Sequence, residues 1–127
     1  MAVSGRDRRA GQDVLRRAGE ASVLILISLA DGPKHGYALI QDIKELAGVE
    51  LGPGTLYGAL DRLVDAGLVS VDHEEVVDGR LRRYYRLTEP GGTLLVAETE
   101  RMRRNVKAAT SKLRAAKVAP RPSRGFA

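Results

Sequence analysis

The 127-residue sequence contains no cysteine, no tryptophan, one phenylalanine and two histidines. Without cysteine there is no disulfide framework, no thiolate zinc site and no cysteine nucleophile. Aromatic residues make up 4%, so the core has to be aliphatic. His35 and His73 stand far apart with no thiolate to join them, a poor metal set; no metal and no cofactor is expected. A long apolar run is also missing. Val23 to Leu29 is the most apolar stretch and falls far short of the ~20 residues of a membrane span. Asp7, Asp13 and Glu20 precede it and no clean small-x-small pattern follows, which argues against a secretory leader. A cytoplasmic protein that does not engage a membrane is expected.

The chain is long enough for one compact domain and short of two. Lys and Arg number 21 against 16 Asp and Glu, for a formal net charge of +5. Nine basic residues and no acidic one lie from Arg101 to the end, and five arginines precede Glu20. A near-neutral body with basic ends suits an anionic partner such as nucleic acid. A solubilising basic surface explains the same charge equally well.

Residues 1–11 carry Gly, Arg and Ser without an apolar period and read as a mobile basic arm. Helix signals begin near Gln12 and are firm from Glu20. Ala21 to Ala30 is apolar nearly all round, as in a buried helix, although its β-branched residues also allow a strand. Asp31-Gly32-Pro33 stops it. Gly36 to Leu46 reads as a second helix whose apolar stripe is Tyr37, Ile40 and Ile43. Pro53 opens a third, with Leu56, Leu60, Leu63 and Val64 as its inward stripe and Gly67 as the left-handed residue that ends it. Two short helices joined by a tight Gly-containing turn make a helix-turn-helix.

Leu68 to Val77 and Leu81 to Leu87 are β-type runs around Asp78-Gly79, a hairpin signal. A two-residue loop would put Val71 opposite Arg86, mixing apolar and charged residues on one face. A three-residue loop, Asp78-Gly79-Arg80, pairs Val77 with Leu81, Glu75 with Arg83 and Val71 with Leu87. Because a buried face sets register, the three-residue loop with a bulge is expected. Val69, Val71, Tyr85 and Leu87 then share the core side.

Thr88 caps a last helix, expected from about Pro90 to Lys117. Along it Leu95, Thr99, Met102, Val106, Ala109, Leu113 and Ala116 are spaced alternately four and three residues apart, a narrow heptad seam. Such a seam needs something to cover it, and the simplest cover is a second copy of the chain. Leu95, Met102, Val106, Ala109 and Leu113 are therefore the expected homodimer contacts. Residues 118–127, with Pro120 and Pro122, read as a disordered tail.

Four segments carry a family resemblance. Gly32-Pro33-Lys34-His35-Gly36-Tyr37-Ala38-Leu39, Gly54-Thr55-Leu56-Tyr57-Gly58-Ala59-Leu60-Asp61-Arg62-Leu63, Ala66-Gly67-Leu68-Val69 and Arg83-Tyr84-Tyr85-Arg86-Leu87-Thr88 resemble the PadR family of bacterial transcriptional regulators. The resemblance covers about Ala21 to Gly91 and resembles most the smaller subfamily with a single C-terminal dimerisation helix. It implies a mainly α fold with a small β-hairpin: a winged helix-turn-helix DNA-binding domain over 12–88 and a dimerisation helix over 89–117. Glu89-Pro90-Gly91-Gly92 after the wing, and the arginine-rich ends, depart from the family pattern. The resemblance leaves room for a small-molecule effector that the sequence does not identify. Some small members hold flat drugs between tryptophans at the dimer interface, a mode this Trp-free chain does not support.

A helix entering the major groove offers its first turns to the DNA. Here those residues are Gly54, Thr55, Tyr57, Gly58, Asp61 and Arg62. Thr55 and Tyr57 supply hydroxyls, while Gly54 and Gly58 let the backbone approach. Core packing beside Leu56 and Leu60 is the bland alternative for Tyr57, and an ion pair with Asp61 or Asp65 for Arg62. At the second helix Lys34 and Tyr37 are candidate backbone contacts, and His35 is expected to fix the turn by a hydrogen bond. At the wing, Arg80 and Arg82 are assigned to DNA and Arg83 to an ion pair with Glu75. Asp72, Glu74, Glu75 and Asp78 read as wing charges rather than catalytic carboxylates, and no phosphate loop or dinucleotide fingerprint appears. A sequence-specific DNA-binding transcriptional regulator rather than an enzyme is expected, a dimeric repressor acting on double-stranded DNA; a winged-helix module that docks a protein instead is the rival class.

Overall fold

The computed structural model describes residues 19–118. Its elements are α1 (Glu20–Leu29), β1 (Lys34–His35), α2 (Gly36–Ala47), α3 (Pro53–Asp65), β2 (Val69–Val77), β3 (Arg80–Leu87) and α4 (Glu89–Ala115). The expected arm (1–11), the helix signals near Gln12 and the expected tail beyond Val118 lie outside the described residues.

The apolar run settles as a helix, and α1 is the centre of the core. Ile25 and Leu26 are fully buried, as is Ser22, and α2, α3, α4 and β3 all pack against this helix. Burial on every side explains why it shows no polar face; each large aliphatic side chain contributes about 1.5–3 kcal/mol by leaving water. At its end Ser28 Oγ donates to Asp42 Oδ2 at 2.5 Å, tying α1 to α2. The Lys34 ammonium folds back onto the Ser28 carbonyl and the Asp31 carboxylate.

The stripe of α2 differs from expectation. Gly36, Leu39 and Ile43 are buried, whereas Tyr37 is 67% exposed. A glycine holds the first inward position because an aromatic ring from α3 lies over it, and a count of apolar side chains does not register glycine. In α3, Pro53 occupies the first turn after Gly52, and Leu56, Ala59, Leu60 and Leu63 are buried. Val64 is exposed rather than inward, since it lies about 90° round the helix from the centre of that stripe. After Ala66, Gly67 takes φ 76°, and the Leu68 N–H donates to the Leu63 carbonyl at 3.0 Å, a Schellman ending.

The hairpin register differs from expectation at both tip and base. Val77 pairs with Arg80, so the loop is the two residues Asp78-Gly79, both left-handed at φ 51° and 75°. That is the type I′ preference of Asp-Gly. The bulge lies instead between Val71 and His73, and below it Val71 faces Tyr85 rather than the expected Leu87, which pairs with Val69. Only the base of the hairpin is buried, so the buried face sets register there and turn chemistry sets it at the tip. The expected Arg83–Glu75 pair gives way accordingly: Arg83 sits opposite Glu74, 3.5 Å from its carboxylate, and Arg82 opposite Glu75. Val69 and Tyr85 are buried, Leu87 partly so, and Val71 is exposed.

The sheet also has a third strand, β1, giving the antiparallel order β1-β3-β2. Two residues long, β1 has no period for a sequence to display. The last helix starts at Glu89, one residue before the expected Pro90, and ends at Ala115 rather than Lys117. Thr88 caps it as expected: its Oγ1 accepts from the Gly91 N–H at 3.1 Å and donates to the Gly67 carbonyl at 2.7 Å. Gly91 sits so tightly on the sheet that a Cβ there would stand 2.0 Å from the Leu68 carbonyl oxygen. Leu94 is buried and Leu95 packs on the core, after which α4 runs into solvent. No helix of the described residues is long and apolar enough to cross a membrane.

Candidate nucleic-acid interface

The surface left over when α3 buries its apolar stripe is divided into flanks by the 100° step of a helix. One flank carries Tyr57 and, one turn on, Asp61. Together with Gly36 and Tyr37 at the start of α2 they form one wall of a groove of about 760 Å³. The opposite wall is the tip of the wing, with Arg80, Leu81, Arg82 and Arg83.

Tyr57 is held in this groove by α2. A Cβ on Gly36 would fall 2.2 Å from the Tyr57 hydroxyl oxygen and 2.8 Å from its ring. The tyrosine is 46% exposed, so it is neither a core residue nor a free one. The glycine of one sequence motif and the tyrosine of the other meet here, a contact that no spacing along the chain displays.

Thr55 and Arg62 occupy the far flank of α3, with Gly54 and Gly58 between the flanks, and none of the four lines the groove. Thr55 and Tyr57 are about 200° apart round the helix and therefore point to opposite sides of it. Arg62 forms no ion pair with Asp61 or Asp65 among the described residues; its Nη1 lies 3.9 Å from where a Cβ on Gly58 would be. Gly54 has open space around it.

Lys34 is placed differently from the other basic candidates. Its side chain is 18% exposed and its charge is already matched by Asp31, whose carboxyl it holds below the usual carboxylate range through a hydrogen bond and its charge. Arg80 and Arg82 form no ion pair among the described residues and border the groove.

His35 fixes the turn, as expected. Its Nδ1 accepts from the Ala38 N–H at 3.3 Å and so caps α2. Burial pushes its pKa down, the positive charge of Arg82 pushes it further, and Glu75 opposes both. The ring continues into a row across the sheet. Tyr84 meets His35 edge-on at 5.2 Å and stacks on His73 at 4.3 Å. The Tyr84 hydroxyl donates to Glu75 at 2.5 Å, and His73 Nδ1 lies 2.6 Å from Asp72. This row escapes the sequence because it depends on β1 and on the bulge. It braces the wing against the start of α2.

Phenol, hydroxyl and guanidinium donors spread over a convex helix and an adjoining wing suit the acceptor-rich edges and backbone of a duplex. Among the described residues no three His, Cys, Asp or Glu side chains gather to hold a metal ion.

Comparison with known proteins bears on this arrangement. The Transcriptional regulator PadR-like family matches residues 25–97. The transcriptional regulator Rv3488 of Mycobacterium tuberculosis is 44% identical over 77 residues, 61% of this chain and 69% of that protein. Some curated relatives are longer: the chain spans 24% of an uncharacterized 37.1 kDa protein in transposon TN4556 of Streptomyces fradiae and 38% of the transcriptional activator GvpE2 of Halobacterium salinarum. Among solved structures, a PadR family transcription regulator from Clostridium difficile superposes with a TM-score of 0.67 at 27% identity, covering 75% of this chain and 99% of that one. Bacillus subtilis PadR in complex with operator DNA shares the fold, with a TM-score of 0.56 at 23% identity over 61% of this chain and 45% of that one.

Proposed function

The chain belongs to the PadR-like family of transcriptional regulators, and from that premise we propose that it is a sequence-specific regulator of transcription that binds double-stranded DNA as a homodimer and acts as a repressor. The observation that carries this reading is the groove in which Tyr57 of α3 and Tyr37 of α2 face the arginines of the wing. The operator-bound relative has the same fold.

In this reading α3 enters the major groove with one flank on each wall. Thr55 and Arg62 face one strand, Tyr57 and Tyr37 face the other, and Gly54 and Gly58 admit the backbone closely. Arg80 and Arg82 grip flanking phosphates. Lys34 contributes through the shape of the turn, with its charge shared with Asp31.

Dimerisation falls to α4. Val106 is 65% exposed and Leu113 46%, on the seam that also carries Leu95, Met102 and Ala109. Pairing that seam with a second copy places two copies of α3 on half-sites about one helical turn apart. An effector would sit where α4 of each copy leaves the core.

Selection from a random duplex pool by the purified protein tests the reading. Recovery of a palindromic site is expected; failure to retain any duplex at low salt would contradict it. Val76 and Leu81, paired and exposed on the wing, favour a protein-docking module as the second reading, and that failure would select it.

A further inference from the structure

Asp61 stands where a DNA-facing surface should not place a negative charge. It lies on α3 one turn beyond Tyr57, lines the groove, and is exposed. Among the described residues it forms no hydrogen bond or ion pair, although Arg62 is its neighbour and the arginines of the wing stand across the groove. An ionised carboxylate only accepts hydrogen bonds. A DNA phosphate also only accepts and carries the same charge, so the backbone offers Asp61 nothing but repulsion. In the major groove the available donors are the exocyclic amino groups of cytosine and adenine, with carboxylates matched to cytosine N4.

We propose that Asp61 is a specificity-determining residue, one that lowers affinity for DNA in general and recovers it where a cytosine presents its amino group to that flank of α3. The inference rests on the DNA-binding reading above. It gives α3 a division of labour: the arginines attract any duplex, and Asp61 rejects most positions along it. The neighbouring Tyr57, fixed by its contact with Gly36, keeps that flank at a constant height over the bases.

The test compares the full-length protein with Asp61→Ala and Asp61→Asn. Each is used to select sites from one random duplex pool, and each is titrated with random duplex and with the site selected by the parent. Melting midpoints like the parent's are expected, since the side chain is exposed and unpartnered. Both variants should bind random duplex several-fold more tightly. The ratio of selected-site to random affinity should fall about tenfold, the size of one good base contact. One cytosine position per half-site should become degenerate with Asp61→Ala and shift toward adenine with Asp61→Asn, because an amide pairs with adenine N6 and N7. Unchanged selected sites, with both affinities rising equally, would overturn the inference and leave Asp61 a source of repulsion alone. A parent protein that retains no duplex would overturn the DNA reading, and this inference with it.

Discussion

Helix α3 presses Leu56, Ala59, Leu60 and Leu63 into the body, whereas α4 buries Gly91 and Leu94 and then runs about six turns with its apolar residues facing water. Both helices are amphipathic along the sequence. They differ in what they find to pack on: α3 meets α1, α2 and β2 within its own chain, while α4 touches the core only at its first turns. A helix whose stripe is buried can present its opposite face as a rigid reading surface. A helix whose stripe is bare has its energetics still to be completed, and in the proposed dimer a second copy would complete them without adding a new sequence.

The sharpest way to break this contrast is to truncate each stripe in turn. Leu60→Ala should cost about 2–5 kcal/mol in a denaturant titration, as a fully buried leucine does. Val106→Ala, on the exposed helix, should leave unfolding of the body within about 0.5 kcal/mol when measured at concentrations low enough to keep the chain monomeric. If both cost the same, α4 is already buried by something in the chain.

Charge on the bare seam comes next. Met102→Lys with Val106→Glu should turn a dimer into a monomer in sedimentation at tens of micromolar, since neither charge can be solvated in a closed seam. The melting of the body should barely move. A parent protein that is itself monomeric at that concentration would remove the dimer from the account.

Gly36→Ala probes the join between the two motifs. The added methyl collides with the ring of Tyr57, and a loss of about 1–3 kcal/mol is expected. Tyr57→Ala in the same chain should recover most of the difference, because it removes the colliding ring. Additive losses in the double variant would show that Tyr57 does not rest on Gly36 in solution.

Much of this body is legible in the sequence for a definite reason. Pro53 and Gly67 punctuate α3, its stripe repeats over three turns, and Thr88 announces α4. What the sequence hides are contacts between segments. Gly36 occupies a buried position without an apolar side chain, so the apolar pattern of α2 turns Tyr37 inward where the fold turns it out. The strand β1 is too short to alternate. The hairpin obeys two rules at once, buried-face register at Val69 and Tyr85 and turn chemistry at Asp78-Gly79, and the bulge beside Asp72 reconciles them. The row His35–Tyr84–His73 exists only once both are in place. The candidate residues of α3 were visible as a set, yet their division between two flanks follows from the direction in which Leu60 is buried.

A smaller effect than truncation of the buried stripe, and a pH-dependent one, concerns the cap of α2. His35 has its pKa lowered from 6.5, by burial first and by Arg82 second, so the unfolded chain binds the proton more readily than the folded one. Its contribution is therefore complete above about pH 6.5 and is lost as pH falls through the lowered folded value. Protonation of Nδ1 also removes the acceptor for the Ala38 N–H. His35→Ala should cost about 1 kcal/mol at pH 7.5 and flatten the decline below about pH 6.5 in urea titrations. A decline as steep as the parent's would mean that another group causes it.

The central claim is that the face shared by α3 and the wing holds a duplex through its arginines. Affinity for a random-sequence duplex, measured across a salt series for the parent and for Arg80→Ala with Arg82→Ala, tests it most directly. Log affinity should fall linearly with log salt for both, and the slope of the double variant should be shallower by about 1.8, roughly 0.9 for each phosphate contact removed. Equal slopes would contradict the account, because the wing would then touch no phosphate.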